Sequence, residues 1–188
     1  MGAPNKLMQL IIDLPPRAEQ ILANRERWSL ILADRRLAEL PFRIETNAYG
    51  HILMTPPASG SHSSKQGDIS YRLRQLLGGQ LGGHSLPECP ISTIDGVKSA
   101  DVGWYSEERF AKVDGQQAFE LAPEICVEVL SPSNSNAEME LKRHLYFEAG
   151  AKEVWFCEIT GKMRFYLEQN IDLPQEDSQL CRSFPNKI

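Results

Sequence analysis

Acidic residues in strand-like segments, followed by a lysine on a helix, are the positions at which this sequence could do chemistry. Glu128 lies within the apolar run "ICVEVL", whose other residues are typical of a buried strand. A lone carboxylate is costly to bury, so such a group normally finds a partner or takes up a proton. Asp101 lies in another strand-like segment, "GVKSADVGWY", and Glu45 lies in the first strand of an earlier hairpin. If the strands of Asp101 and Glu128 are neighbours, a cation between the two carboxylates would relieve their repulsion.

A lysine adds a fixed positive charge to this set. Lys142 lies on the helix that follows the strand of Glu128, and Tyr146 lies one turn later on the same helix face. Because that helix packs back on the sheet, it can bring the ammonium group to the edge near Glu128. Carboxylates that bind Mg²⁺ or Mn²⁺, with a lysine beside them, suit phosphodiester hydrolysis. The metal polarises the phosphate and activates water, and the lysine stabilises the developing charge or positions that water.

Each of these residues also has an ordinary structural interpretation. Asp101 could be a strand-end aspartate bonded to a turn, and Glu128 could form a buried ion pair with Lys142 or an arginine. Lys142 could be a solvated helix lysine, and Glu45 an ordinary strand residue. The sequence favours the metal-binding interpretation for Asp101 and Glu128, and it leaves both interpretations open for Glu45 and Lys142.

Two further residues are candidates for substrate binding. His62 lies among serines just before a predicted helix, where it could bind a phosphate or position a substrate. A role at the start of the helix is the favoured alternative for His62. Tyr146 is favoured as a packing residue with a tethered hydroxyl group rather than as a direct participant.

The elements that must position these residues alternate between helices and strands. Hydrophobic spacing predicts a helix over 16–38, a hairpin with strands at 42–45 and 51–54, and a helix in "SHSSKQGDISYRLRQLL" that ends at "GGQLGG". Several strands, a helix in "SNAEMELKRHLYFEAG" and two more strands follow. Ser135 and Glu138 form a capping box for that later helix. This order predicts an α/β (α+β) fold with helices around one central sheet.

The length and composition suit a single core domain. The chain has 188 residues, of which 41% are hydrophobic and 24% charged, as in ordinary globular proteins. We expect an N-terminal helical extension (1–40) packed on the core, a core domain (41–170) and a C-terminal tail (171–188) that forms loop. No run of about 18 apolar residues predicts a membrane span. The N-terminus also lacks the pattern of a secretory signal.

Charge and cysteine usage exclude some classes of function. The formal net charge of −5 argues against a protein that coats nucleic acid through a broadly basic surface, although a local basic cleft remains compatible with it. The four cysteines form no CxxC pair, which disfavours a zinc site or a disulfide framework. A reduced, cytoplasmic setting is the simplest interpretation.

Three segments together resemble a known family. They are the strand of Asp101, the stretch "PEICVEVLSPSNSN", and the following region with Lys142, Tyr146 and "GAKEVWFCEI". These segments are similar to those of the small bacterial endonucleases of the Uma-two type, in the restriction-endonuclease-like PD-(D/E)xK superfamily. The resemblance runs from Glu45 to Leu167 and includes "TPPASGSHS" before the first core helix. It implies a restriction-endonuclease-like mixed sheet flanked by helices, and metal-dependent nuclease chemistry.

The resemblance also implies roles for particular residues. Asp101 and Glu128 would bind Mg²⁺ or Mn²⁺, and Glu45 would be an additional acidic residue from the first part of the core. Two positions differ from the superfamily pattern. Ala100 stands where a proline is expected, and Leu130 stands where the E-x-K signature has its lysine. The catalytic positive charge would therefore have to come from the following helix.

The leading hypothesis is a Mg²⁺-dependent DNA endonuclease in which Lys142 orients the attacking water or stabilises charge. A second hypothesis is a non-catalytic member of the same fold, which keeps its carboxylates in structural ion pairs and serves as a binding or assembly module. A third is a metal-dependent hydrolase of another phosphate ester. A homodimer would suit cleavage of both strands of a duplex, and nothing in the sequence indicates a specific protein partner.

Overall fold

Helices and strands alternate along residues 16–188, which are the residues described by the computed structural model. In chain order they are α1 (Arg17–Ala33), α2 (Arg35–Ala38), β1 (Arg43–Thr46), β2 (Ile52–Thr55), α3 (Gly60–Leu76), α4 (Gly78–Leu81), β3 (His84–Thr93), β4 (Gly96–Tyr105), α5 (Glu107–Phe110), β5 (Ile125–Val129), α6 (Asn136–Glu148), β6 (Glu153–Cys157), β7 (Met163–Leu167) and β8 (Asn170–Gln175). None of these helices is long and apolar enough to cross a membrane.

Strands β3 to β8 form one mixed sheet in which spatial order follows chain order. Only β5 and β6 pair in parallel, because α6 carries the chain back across the sheet between them. The other neighbouring strands pair antiparallel. β1 and β2 form a separate antiparallel hairpin. That hairpin is attached to β4, since the Val97 N–H donates to Thr46 Oγ1 and the Ser99 N–H donates to Glu45 Oε1, both at 2.9 Å.

Serine caps begin the two helices that carry candidate residues. Ser135 Oγ accepts the N–H of Glu138 at 3.1 Å, so the predicted N-cap of α6 is confirmed. Ser59 Oγ accepts the N–H of His62 at 3.3 Å, which places His62 in the first turn of α3. The caps therefore set the residues at which α3 and α6 begin, and with them which side chains of each helix face the sheet.

The sheet is covered on both faces. On one face α3 packs its apolar residues against the sheet and the C-terminal segment, in a cluster that includes Ile69, Leu73, Val127, Val129, Trp155, Phe165 and Phe184. On the other face α6 contributes to a cluster with Met139, Tyr146, Cys126, Val154 and Phe156. Because side chains alternate along a strand, Glu128 points to the α6 face, between Val127 and Val129, which point to the α3 face.

The N-terminal helix packs on the side of the hairpin. Trp28 and Ile31 are buried in a small cluster with Val97 of β4. The helix predicted over 16–38 is interrupted at Asp34, whose backbone is extended and whose carboxylate caps α2 by accepting the Arg36 N–H. Residues 1–15 of the expected extension lie outside the described residues.

Three local predictions require correction. The loop expected after Asn170 is wrong over its first part, because Asn170–Gln175 forms β8 against β7. The stretch "GGQLGG" contains the short helix α4, so the chain does not end its helical path at Leu77. β3 (His84–Thr93) was not identified as a strand, and its two prolines explain why, since proline is depleted in strands.

Candidate active site

Three carboxylates lie in a row across neighbouring strands of the sheet. Val102 of β4 pairs with Val127 of β5 at the end of their register, and Asp101 and Glu128 are the next residues along these two strands. In β3, Glu88 lies between Pro87 and Cys89, whose partners Val102 and Ala100 flank Asp101. Glu88 has a φ of 49°, a left-handed conformation that is uncommon outside glycine. The sheet thus brings the two predicted metal ligands together and adds a third carboxylate.

Asp101 is almost fully buried, at 1% exposure, and both of its oxygens accept hydrogen bonds. Oδ1 is 2.6 Å from Arg43 Nη1 and 3.2 Å from Gln66 Nε2, while Oδ2 is 3.1 Å from His62 Nε2 and 2.7 Å from the Val129 backbone nitrogen. Burial acts to raise the pKa of Asp101, but the His62 hydrogen bond and the Arg43 charge outweigh it and lower that pKa. Asp101 is therefore ionised, and its hydrogen bond raises the pKa of His62.

Glu128 is held from behind by α6. Its Oε1 accepts the Tyr146 hydroxyl at 2.6 Å and the Lys142 ammonium at 3.3 Å. The same ammonium donates to Glu45 Oε1 at 2.8 Å and to the Ser99 carbonyl at 3.4 Å. Glu45 Oε1 also accepts the Ser99 N–H, so the hairpin, the sheet and α6 meet at this cluster. Lys142 is not a solvated helix lysine, since it is only 4% exposed.

The two carboxylates beside Lys142 titrate differently. Burial acts to raise the pKa of Glu45, but the Lys142 charge outweighs it and that pKa falls. For Glu128, burial prevails over the Lys142 charge, and the repulsion of Asp101 adds to it, so its pKa rises to about 7. The charges of Glu128 and Glu45 outweigh burial at Lys142 and raise its pKa. These opposite shifts are consistent because the ammonium lies closer to Glu45 and primarily neutralises that residue.

The raised pKa of Glu128 predicts a pH-dependent loss of stability. In the folded chain Glu128 holds its proton to about pH 7, whereas its ordinary pKa is 4.5. Stability is therefore lost as the pH rises from about 5 to about 8, by up to about 3 kcal/mol if Glu128 acts alone. Glu128→Gln cannot ionise, so we expect its free energy of unfolding to vary less over this window. Urea unfolding of wild type and variant at several pH values measures the difference.

A matched control separates this effect from other titrating groups. Glu158 is a carboxylate that bonds to Arg164 away from this cluster, so Glu158→Gln should retain the wild-type pH profile. His62 also loses a stabilising charge in this window, because its pKa is raised, but it is present in all three proteins. Parallel profiles for wild type and Glu128→Gln would contradict the prediction.

A cavity of about 790 Å³ opens onto the carboxylates. Its charged and polar lining includes Arg43, His62, Glu88, Asp101 and Glu128, and an apolar wall is formed by Trp28, Ile31, Leu32, Leu37, Leu40 and Phe42. Glu45, Lys142 and Tyr146 do not line this cavity. They lie behind Glu128, so they can affect a ligand in the cavity only through their contacts with Glu128.

A second buried glutamate shows how a purely structural carboxylate differs. Glu153 accepts two backbone N–H groups on Oε1, from Gln179 and Leu180, and the Trp155 and Ser178 side chains on Oε2. All four contacts are between 2.7 and 2.8 Å, and they hold the C-terminal segment on the sheet. Glu128, by contrast, accepts hydrogen bonds from residues 16–188 on Oε1 alone, and it lines the cavity. Its second oxygen therefore remains for a ligand.

The whole arrangement lies within a segment that matches a family model. Residues 34–185 match the family described as "Uma2: Putative restriction endonuclease". The chain belongs to the Uma2 family. The matched segment contains the six-stranded sheet and all of the candidate residues, so the Uma2 resemblance predicted from the sequence is confirmed.

A solved structure supports the same fold. The Uma2 chain is similar to the crystal structure of "a putative nuclease belonging to DUF820 from Anabaena variabilis", with a TM-score of 0.62 and 16% sequence identity. The similarity covers 80% of this chain and 91% of that chain. At this identity the likeness supports the fold alone, and the predicted mixed sheet with flanking helices is confirmed. No curated protein matches the chain.

Three residues of the site were not among the candidates selected from the sequence, although Gln66 was considered as a residue facing the cleft. Arg43 stands two residues before Glu45 in β1, so strand alternation could have indicated that both point to the same face. Gln66 is one turn after His62 on α3 and also reaches Asp101. No sequence pattern indicated Glu88 as a site residue, because β3 was not predicted as a strand.

Proposed function

We propose that the chain is a divalent-metal-dependent endonuclease that hydrolyses phosphodiester bonds of DNA. The observation that carries this proposal is the second oxygen of Glu128, which accepts no hydrogen bond from residues 16–188, beside Asp101 in one cavity. A buried carboxylate with an unused oxygen facing a cavity is suited to a cation. Membership of a family described as nucleases is consistent with this chemistry.

The donor set fits Mg²⁺ or Mn²⁺ on one condition. Carboxylate oxygens are the ligands that these hard cations prefer, and Asp101 and Glu128 provide them at one place. The field there favours positive charge: the surrounding carboxylates raise the pKa of Arg43 despite its burial. The condition is that the Arg43 guanidinium leaves Asp101 Oδ1, since it occupies that oxygen now. Within residues 16–188 no group of three His, Cys, Asp or Glu side chains is arranged to hold a metal.

We assign the roles of the chain's own residues from these positions. Asp101 and Glu128 would hold the cation, which would polarise the phosphate and lower the pKa of a bound water. Lys142 and Tyr146 position Glu128 by bonding its Oε1 from the side opposite the cavity. Glu45 holds Lys142 in place. His62 lines the cavity and is favoured in its charged form, so it is suited to bind a substrate phosphate.

A specific observation favours a second candidate function. Both oxygens of Asp101 are already bonded to protein donors, as they would be in a structural ion network. A member of the fold that uses this network only for stability would act as a binding or assembly module. It would bind no divalent metal at millimolar concentration.

We propose DNA as the substrate because the matching family is described as restriction endonucleases. Other phosphodiesters are to be tested as substrates beside DNA. Cleavage of both strands of a duplex requires two such sites, which a homodimer would provide. A panel of nucleotides and phosphodiesters alongside DNA would reveal a hydrolase of another phosphate ester.

Plasmid nicking is the direct test of the proposed function. We expect the wild-type protein to convert supercoiled plasmid to the open circle in Mn²⁺ or Mg²⁺, and chelation with EDTA to abolish this conversion. The reason is that the phosphate and its attacking water depend on the cation at Asp101 and Glu128. Absence of nicking, together with absence of metal binding in calorimetry, would contradict the proposal and favour the binding module.

A further inference from the structure

We propose that Arg43 is a resident counter-cation, which a substrate phosphate draws away from Asp101 so that the metal can bind there. This inference rests on the proposed metal-dependent function and adds a step that couples substrate binding to metal binding. It gives Arg43 two alternating partners, a protein carboxylate before the substrate binds and a phosphodiester afterwards.

The geometry places Arg43 where the metal must bind. Its Nη1 is 2.6 Å from Asp101 Oδ1 and 3.2 Å from Glu88 Oε2. Arg43, which comes from the hairpin, therefore bridges two of the three carboxylates, while His62 bonds Asp101 Oδ2 and Lys142 bonds Glu128 Oε1. A divalent ion on Asp101 Oδ1 and a guanidinium on the same oxygen would be like charges within contact distance, and they repel each other strongly. Occupation by one excludes the other.

The side chain, rather than the hairpin, is the part that can move. The backbone of β1 is fixed to β4 by the bonds from Val97 to Thr46 and from Ser99 to Glu45. The Arg43 side chain is 23% exposed, and it already contacts Glu88, whose side chain is 46% exposed. Arg43 can therefore turn toward the opening of the cavity without disturbing the fold.

A phosphodiester is the ligand whose chemistry suits this exchange. The planar guanidinium matches two phosphate oxygens, and such charge-assisted pairs are among the strongest hydrogen bonds in proteins. Once Arg43 binds the phosphate, Asp101 Oδ1 has lost its guanidinium partner beside the scissile group. Asp101 Oδ1 would then be available to hold a divalent ion together with Glu128.

Thermodynamic linkage makes the exchange measurable. If the phosphodiester strengthens metal binding by releasing Asp101, the metal must strengthen phosphodiester binding by the same factor. Couplings of this kind are typically between about 5-fold and about 150-fold. We expect weak metal binding by the wild-type protein alone, and binding about tenfold tighter when a phosphodiester is present.

The test is calorimetric titration of Mn²⁺ into wild type and Arg43→Gln. The titrations are run with and without a phosphorothioate-linked thymidine oligonucleotide, whose charged backbone resists hydrolysis. The oligonucleotide alone is titrated as a blank. We expect Arg43→Gln without oligonucleotide to bind Mn²⁺ about tenfold more tightly than wild type, since its competing cation is gone. We expect the oligonucleotide to add no further tightening in that variant.

Two further variants keep the test interpretable. Arg43→Lys retains a positive charge, so it should still compete with Mn²⁺ and keep part of the oligonucleotide dependence. Arg164→Gln removes an arginine that bonds Glu158 outside the cavity, and it should behave as wild type. If Arg43→Gln is less stable than wild type, Mn²⁺ should raise its thermal unfolding midpoint more than that of wild type.

The outcomes distinguish this inference from the proposed function. Equal Mn²⁺ affinity in wild type and Arg43→Gln, with no effect of the oligonucleotide, would overturn the exchange while leaving the metal site intact. No Mn²⁺ binding by any variant, with or without oligonucleotide, would overturn both the exchange and the metal-dependent nuclease. Three results together would establish the exchange. Arg43→Gln without oligonucleotide binds Mn²⁺ more tightly than wild type, the oligonucleotide does not change the Mn²⁺ affinity of Arg43→Gln, and Arg164→Gln behaves as wild type.

Discussion

Glu128→Ala is expected to lose metal-dependent plasmid nicking by about a thousandfold or more, which corresponds to about 4 kcal/mol of transition-state stabilisation. The loss is large because Glu128 provides the oxygen that protein donors leave unused, directly at the cavity. The fold should survive this change, since Lys142 retains its 2.8 Å contact with Glu45 when Glu128 is removed. Conversion of supercoiled plasmid in Mn²⁺ gives the rate, and circular dichroism with thermal unfolding verifies the fold.

The controls for this prediction come from other carboxylates of the same chain. Glu158→Gln alters a carboxylate that bonds Arg164 outside the cavity, and it should nick plasmid at the wild-type rate. Asp101→Ala should be as inactive as Glu128→Ala, because both carboxylates are proposed to hold one cation. Wild-type nicking by both site variants would refute the assignment, whereas loss in only one would identify the ligand that the cation requires.

The position of Lys142 shows what could be predicted from sequence. The apolar spacing of α6, its Ser135 cap and its place after the Glu128 strand all depend on neighbouring residues in the chain, and all are readable locally. A crossover helix between parallel strands must pack on the sheet, which is enough to bring its lysine to the carboxylate. The resemblance to the Uma-two type supplied the fold that these elements form.

The partners of Asp101 show what could not be predicted. Arg43 reaches it from a hairpin 58 residues earlier, and no local pattern specifies a contact over that distance. Glu88 lies on β3, which contains two prolines, and Glu88 itself has a left-handed backbone conformation. Proline is depleted in strands, so residue propensities predict a loop in this segment. The paired register of β3, β4 and β5 decides the row of carboxylates, and register depends on tertiary packing.

Lys142→Met is expected to lower the free energy of unfolding by about 3–5 kcal/mol, because it removes the one ammonium that two buried carboxylates share. Methionine fills a similar volume, so the cost arises from unpaired charge rather than from a cavity. Glu128 can take up a proton and limit its share, since its pKa is already raised to about 7. Glu45 loses the ammonium that outweighs its burial and holds its pKa low, so in the variant it must either bury an unpaired charge or take up a proton. Urea unfolding at neutral pH measures the loss.

A double variant tests whether the unpaired carboxylate is the cause. Lys142→Met combined with Glu45→Gln removes the charge that has lost its partner, so it should be more stable than Lys142→Met alone. The interaction free energy of this double-mutant cycle should be about 1–3 kcal/mol. Lys112→Met, which alters an exposed lysine that bonds Glu108 on the surface, should unfold as wild type does. Additive losses from Lys142→Met and Glu45→Gln would show that the ammonium stabilises the fold by packing alone. Lys142 would then be unable to position Glu128 through its charge, and the proposed role of α6 behind the metal ligand would fail with it.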